Sequence, residues 1–228
     1  MKSILVPTDF SENCDKAANL GIQMAKQYNA EIHFFHLIHT PVDWVKLDKL
    51  KEKRYPDTLR KIGSAKSALR ARELFGSNIE KIVRKSDVPV IVVKEDEVSL
   101  PFKNIVFVSD FMEDVSGAFV HVISIAKKCN AHIRLLRINT QTDTNSISAG
   151  LNPIKRFLEK FPDLKNYSMY VNNEPSVETG INTFLRQEPA DLIAMSTHGS
   201  TGFLSLFSKS IAEGIANHSS LPVMTVKI

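Results

Sequence analysis

The chain repeats itself, and the repeat limits the folds open to it before any single residue is weighed. Lys2-Ser-Ile-Leu-Val-Pro-Thr-Asp9-Phe10 returns as Lys103-Asn-Ile-Val-Phe-Val-Ser-Asp110-Phe111, an offset of 101 residues. The match continues through Ala25-Lys26 and Ala126-Lys127, Asn29-Ala30 and Asn130-Ala131, and Ile32 and Ile133. A second set pairs Ser77, Ile82, Ser86, Pro89-Val90 and Val93-Lys94 with Ser210, Ile215, Ser219, Pro222-Val223 and Val226-Lys227, now at an offset of 133. Two copies of one unit follow, over residues 1–97 and 98–228, and the change of offset means that the first lacks 32 residues. The deficit falls between the two matched blocks and reads as an omission with its seam between Lys61 and Arg72.

The complete copy alternates strand and helix. Residues 104–109 are a short apolar run, the signature of a buried strand, and helical spacing over 115–128 follows it (Val115, Phe119, Val122, Ile123, Ala126). Strands are predicted at 131–138, 167–171, 190–196 and 222–226, with helices at 151–161, from Pro175 to about 186, and ending near His218. Such alternation implies parallel βαβ units and an α/β sheet with helices on both faces. The short copy keeps a first strand (3–7), its helix (12–28), a second strand (30–38), a last helix (76–86) and a last strand (88–93). Residues 40–72 hold no β-branched run, so its third and fourth strands are absent from the reading. Strand one would then expose its edge or recruit the last strand directly. The two apolar last strands, 88–93 and 221–226, would each be a bare sheet edge; pairing them antiparallel about a pseudo-twofold axis satisfies both within one chain, an internal pseudo-dimer.

Composition narrows the class further. Of 228 residues, 43% are hydrophobic and 24% charged, which excludes a disordered chain, and no apolar stretch is long enough to span a membrane. Cys14 and Cys129 are far apart, giving neither a disulfide framework nor a zinc cluster, so a reduced cytoplasmic protein is expected. The net charge of +4 is dispersed and no base-stacking module accompanies it, so nucleic acid is not an expected partner.

Three segments in sequence order resemble the universal stress protein family: Ile4-Leu-Val-Pro-Thr-Asp-Phe-Ser-Glu12, Leu74-Phe-Gly-Ser through Val93, and Asp191-Leu-Ile-Ala-Met-Ser-Thr-His-Gly-Ser-Thr-Gly202. The resemblance, to a tandem member of the UspA-like kind, implies a five-stranded parallel sheet of order 3-2-1-4-5 in the complete unit. It also implies pairing through last strands and, often, bound ATP or AMP. A magnesium ion and a homodimer stay open, as does an unidentified protein partner.

In an open α/β sheet of that order, ligands bind beyond the carboxyl ends of strands one and four, where the winding reverses. Asp110 ends strand one and Gly199 follows strand four. Glycines there admit backbone N–H groups to a phosphate, and a helix N-terminus favours the anion. The family's loop carries Gly, two residues, Gly, nine residues, then Gly-Ser/Thr. Its positions fall here on Ser196, Gly199, Lys209 and Ser210, with Gly202 adding local freedom. The resemblance gives Asp110 and Ile138 adenine-side places. Lys209 either blocks the close approach with its stem or pairs its ammonium with phosphate. In the first copy Asp9, Leu37, Gly76 and Ser77 match, without the paired glycines. A nucleotide is therefore expected in the second copy.

Plainer roles stand beside these. Asp9 and Asp110 suit helix capping, Gly199 and Gly202 suit simple turns, and Gly76-Ser77 suits a helix start. His33, His36 and His39 cannot share one strand face, since His36 alternates away from the other two. His198 suits a solvated loop, and the lysines of 46–66 a wet helix face. No Gly-x-Ser-x-Gly elbow or general base is present, so a dedicated enzyme is not expected and a slow ATPase is the most that the sequence offers. The expected function is a stress-response regulator binding an adenine nucleotide; the alternative is an interaction scaffold that has lost it.

Overall fold

In a computed structural model of the chain, the described residues are 1–8, 12–35, 86–93, 98, 100–140, 147–197 and 221–228. The first copy contributes β1 (Ser3–Pro7), α1 (Glu12–Tyr28), β2 (Glu31–Phe35) and β3 (Val90–Val92). The second contributes β4 (Asn104–Val108), α2 (Ser116–Cys129), β5 (His132–Asn139), α3 (Ile147–Leu158), β6 (Tyr167–Asn173), α4 (Val177–Gln187), β7 (Leu192–Thr197) and β8 (Val223–Lys227). Six strands form one sheet in the order β3-β8-β7-β4-β5-β6. Within the second copy this is the 3-2-1-4-5 order, and all four of its pairings are parallel.

Alternation along the strands divides the interior into two layers. Ile105, Phe107, Ile133 and Leu135 face α2 and α3, while Val106, Val108, Leu136 and Ile138 face Val177, Ile181 and Phe184 of α4. Helix α2 buries Ala118, Phe119, Val122, Ile125, Ala126 and Cys129, the stripe its sequence spacing predicts. Helix α4 is started by Ser176, whose side chain accepts the Thr179 amide at 3.1 Å, a Ser N-cap. Helix α3 departs from the sequence reading. It begins at Ile147 rather than near 151 and ends at Leu158, with Pro153 inside it. Pro is usually a helix breaker there, but burial of Ile154, Phe157 and Leu158 outweighs its propensity. The clash expected at a helical Gly180 also fixes a close approach: a Cβ there would lie 2.7 Å from Ile138 Cδ1, so α4 can lie on β5 only as it does without one.

The repeat reappears in the hydrogen bonds. Ser3 stands opposite Glu31 as Asn104 stands opposite His132. The Thr8 amide donates to the Phe35 carbonyl at 2.8 Å, and the Ser109 amide to Leu136 at 3.1 Å. Ala30 and Ala131 donate to Ala25 and Ala126, both at 2.9 Å, around left-handed Asn29 (φ 50°) and Asn130 (φ 52°). Each pair differs by the offset of the sequence repeat.

β3 pairs antiparallel with β8, as expected of the last strands. Ile91 stands opposite Met224, its own counterpart at the second offset, while Val90 faces Thr225 and Val92 faces Val223. Residue i meets j and the counterpart of j meets that of i, the pattern of an isologous twofold contact. The first copy does not close in the same way. β1 and β2 form a separate two-stranded sheet, and among the described residues nothing pairs with the other side of β1. Of the two outcomes expected for that edge, recruitment of the last strand is therefore not the one adopted. Leu5 is 64% exposed where its counterpart Val106 is 0%. The proposed seam between Lys61 and Arg72 lies outside the described residues, as do the helices expected at 76–86 and before His218.

Helix α1 reaches across to the second copy. Leu20 and Met24 join the core cluster of Phe107 and Phe119. Gln23 Oε1 accepts the Leu100 amide at 2.9 Å, Gln27 Nε2 donates to the Lys128 carbonyl at 2.9 Å, and the Tyr28 hydroxyl donates to the Ser124 carbonyl at 3.3 Å. Burial, with Cys129 adding to it, pushes the Tyr28 phenol up from 10.0 to about 12, against a hydrogen bond from Ser124 that lowers it. The folded chain thus holds the phenolic proton more tightly than the unfolded one. That contribution is full below pH ~10, the unfolded value, and is lost as pH rises toward about 12. Urea midpoints measured at rising alkaline pH are expected to fall more steeply in wild type than in Tyr28→Phe; equal slopes would mean the ring is solvated.

Candidate functional site

The residues that reach a common place are those at the carboxyl ends of β4, β5 and β7. Val108 is in register with Met195, so Asp110 and Ser196 stand one or two residues beyond the last paired position of neighbouring strands. Both are buried, Asp110 at 8% and Ser196 at 3%. This is the point where the sheet's winding reverses, since β5 and β6 lie to one side of β4 and β7 and β8 to the other.

The turn after β4 is held at several points. The Ser109 hydroxyl accepts the Phe111 amide at 3.0 Å, and Asp110 Oδ1 accepts the Met112 amide at 3.0 Å. Phe111 takes a left-handed φ of 57°, a conformation that costs a bulky residue on the order of 1–3 kcal/mol. Its ring offsets the strain by packing on Phe107 and Phe157, at centroid distances of 5.9 and 5.3 Å. Asp110 therefore shapes its own turn through Oδ1 and does not cap α2, whose N-cap is Val115; among the described residues Oδ2 has no hydrogen-bond partner. The entry to α2, whose N-cap Val115 offers no side-chain cap, is held by a different acid. Asp114 Oδ1 accepts the Ser116 amide at 3.0 Å, and hydrogen bonds from Ser116 and Lys160 lower its carboxyl from 3.8 to about 2.

Beside Asp110 lies a polar cluster that the sequence reading passed over. Arg137 of β5 is 3% exposed; its Nη1 donates to the Asp110 carbonyl at 2.8 Å and its Nε to Asn139 Oδ1 at 3.0 Å. Asn139 Nδ2 donates in turn to Asn173 Oδ1 at 3.0 Å. The available signal was two arginines, at 134 and 137, inside a strand otherwise apolar enough to be buried. Asp191 was legible only as part of a motif. Its Oδ2 accepts the Lys103 and Asn104 amides at 2.6 and 2.7 Å and so fixes where β4 begins.

Ile138 stands at the same end of β5, with its side chain 1% exposed and packed against α4 at Gly180. Gly199, Gly202, Lys209 and Ser210 lie outside the described residues, as do Asp9, Leu37, Gly76 and Ser77, and also His36, His39 and His198. His33 sits on the surface, 3.5 Å from Glu31.

The fold is an open, mostly parallel α/β sheet whose winding reverses beside Asp110 and Ser196, the point at which sheets of this class commonly take a ligand. The profile of the Universal stress protein family matches residues 1–60 and 171–227, just over half the chain. The chain belongs to that family. A universal stress protein from Archaeoglobus fulgidus DSM 4304 superposes with a TM-score of 0.70 at 18% identity, over 99% of this chain and 98% of that one. A functionally unknown protein from Pseudomonas aeruginosa PAO1 follows at 0.62 and 15%, over 100% of this chain and 92% of that one. No curated protein matches the chain. No helix among the described residues is long and apolar enough to cross a membrane.

Proposed function

We propose that the chain is a cytoplasmic stress-response regulator of two universal-stress-type domains, 1–97 and 98–228, and that the second binds an adenine nucleotide, ATP or AMP. The observation that carries the reading is the Asp110 turn: a buried acid, pinned beyond β4 beside the end of β7, with one carboxylate oxygen engaged by its own backbone. Family membership supports it, since the family's adenine-side acid falls on this residue. The asymmetry of the copies supports the choice of half. β4 is flanked by β7 on the reversal side, whereas β1 has no such neighbour among the described residues. Lys209 and Ser196 stand where the family's loop has glycines, so binding is expected to be weaker than a full glycine loop would allow.

Calorimetric titration with ATP and AMP tests the reading. Wild type is expected to bind one nucleotide, and Asp110→Ala to bind it about tenfold to a hundredfold more weakly, the loss of one charge-assisted contact of about 1–3 kcal/mol. Lys209→Gly separates two roles: tighter binding marks the lysine stem as an obstruction, weaker binding marks its ammonium as a phosphate contact. Absence of any heat with wild type would favour the interaction scaffold instead. Phosphate release above the uncatalysed rate would add slow hydrolysis to the binder.

A further inference from the structure

A buried arginine is a poor way to stabilise a core. Desolvating its charge costs about as much as its bonds return, and an apolar residue of similar volume commonly serves as well. What arginine alone supplies is a planar fork that reaches two acceptors at once and stays charged at every accessible pH. Two of the guanidinium's donors meet acceptors at the end of the sheet. Nη1 reaches the carbonyl of Asp110, which lies beyond the last β4–β5 and β4–β7 pairs and so has no ladder partner of its own, and Nε reaches Asn139. Asn139 is itself 2% exposed and bonded to Asn173. The guanidinium thus ties the turn that carries Asp110 to the ends of β5 and β6. At the corresponding place in the first copy, the repeat puts His36.

We propose that Arg137 is a positioning residue for Asp110: by holding the Asp110 carbonyl it fixes the left-handed turn at Phe111 and so the place of the carboxylate. The proposal rests on the nucleotide reading only for its functional consequence. The tie itself has a readout without ligand.

Arg137→Met keeps the volume and removes both donors; Arg137→Lys restores one donor and the charge. Residue-resolved amide hydrogen exchange on the full chain is measured first, without nucleotide. In Arg137→Met the Phe111 and Met112 amides are expected to exchange about tenfold faster or more while the central β4 and β5 amides keep their protection, the loss of one bond of ~1 kcal/mol or more. Arg137→Lys is expected to recover part of that protection. ATP titration of the same variants is then expected to show an affinity about tenfold lower for Arg137→Met and partly restored for Arg137→Lys. Unchanged exchange at Phe111 and Met112 overturns the proposal, and so does loss of protection throughout β4 and β5, which would make Arg137 a general support of the sheet. Faster exchange at the turn in a chain whose wild type binds no ATP would uphold the tie and overturn the nucleotide reading instead. If Arg137→Met does not fold, the comparison of wild type with Arg137→Lys carries the same readouts.

Discussion

Phe119→Ala is expected to lower the unfolding free energy by about 3–5 kcal/mol, the cost typical of emptying a buried aromatic site. Phe119 is fully buried on α2. Its ring centroid lies 5.0 Å from Phe107, 5.1 Å from Phe157 and 5.0 Å from Phe161, so it joins β4 to the C-terminal part of α3 and the residues after it. Five rings in contact cannot all relax into the space of one, because each is held by a different element. A residual cavity is therefore expected rather than collapse. The same cluster anchors Phe111 through Phe107 and Phe157. Loss of Phe119 should thus loosen the Asp110 turn as well as the core. Val120, the next residue along α2, is 53% exposed, and Val120→Ala should change stability by no more than about 0.5 kcal/mol. Urea unfolding of the two variants against wild type makes the comparison. A loss below about 1 kcal/mol for Phe119→Ala would mean that the aromatic cluster is not packed as described.

That cluster shows what the sequence could and could not disclose. The helical spacing of Phe119, Val122 and Ala126 announces a buried stripe. Nothing in the spacing says that Phe107, Phe111, Phe157 and Phe161 converge on it, because convergence depends on which strands are neighbours. Strand order is legible only through the family resemblance. The repeat marks which places correspond: one numerical offset relates the Ser3–Glu31 register to the Asn104–His132 register and one left-handed asparagine to the other. The start of α3 at Ile147 lies outside the 151–161 spacing; packing of Ile154 and Phe157 carries the helix through Pro153.

At the candidate site the types of residue were legible and their partners were not. Asp110 was identified from its place after a strand, and it lies where that argument put it, beside the end of β7. Its dependence on Arg137 was hidden because a side chain from β5 meets a main-chain carbonyl after β4, a contact with no sequence spacing. Ile138 has an adenine-side place through the resemblance alone; in the structure its side chain lies under α4, where Gly180 leaves room for it.

Met224→Lys is expected to be about as damaging as Phe119→Ala, by a different route. Met224 of β8 is 0% exposed, between Ala194 of β7 and Ile91 of β3. An ammonium there has no partner and loses its hydration, which costs about 3–5 kcal/mol in a buried site. Ile91 occupies the corresponding place across the pseudo-twofold but is only half-buried, so the stem of a lysine at that position can carry its charge to water. Ile91→Lys should therefore cost less than half as much. The difference follows from the neighbours of the two strands. β8 has a strand on each side, whereas among the described residues β3 pairs with β8 alone. Two sites equivalent in sequence thus become unequal in energy. Urea midpoints, together with amide exchange at Val90–Val92, read both effects. Equal losses from the two substitutions would mean that β3 is covered in solution as thoroughly as β8. A negligible loss from Met224→Lys would mean that the two last strands do not meet.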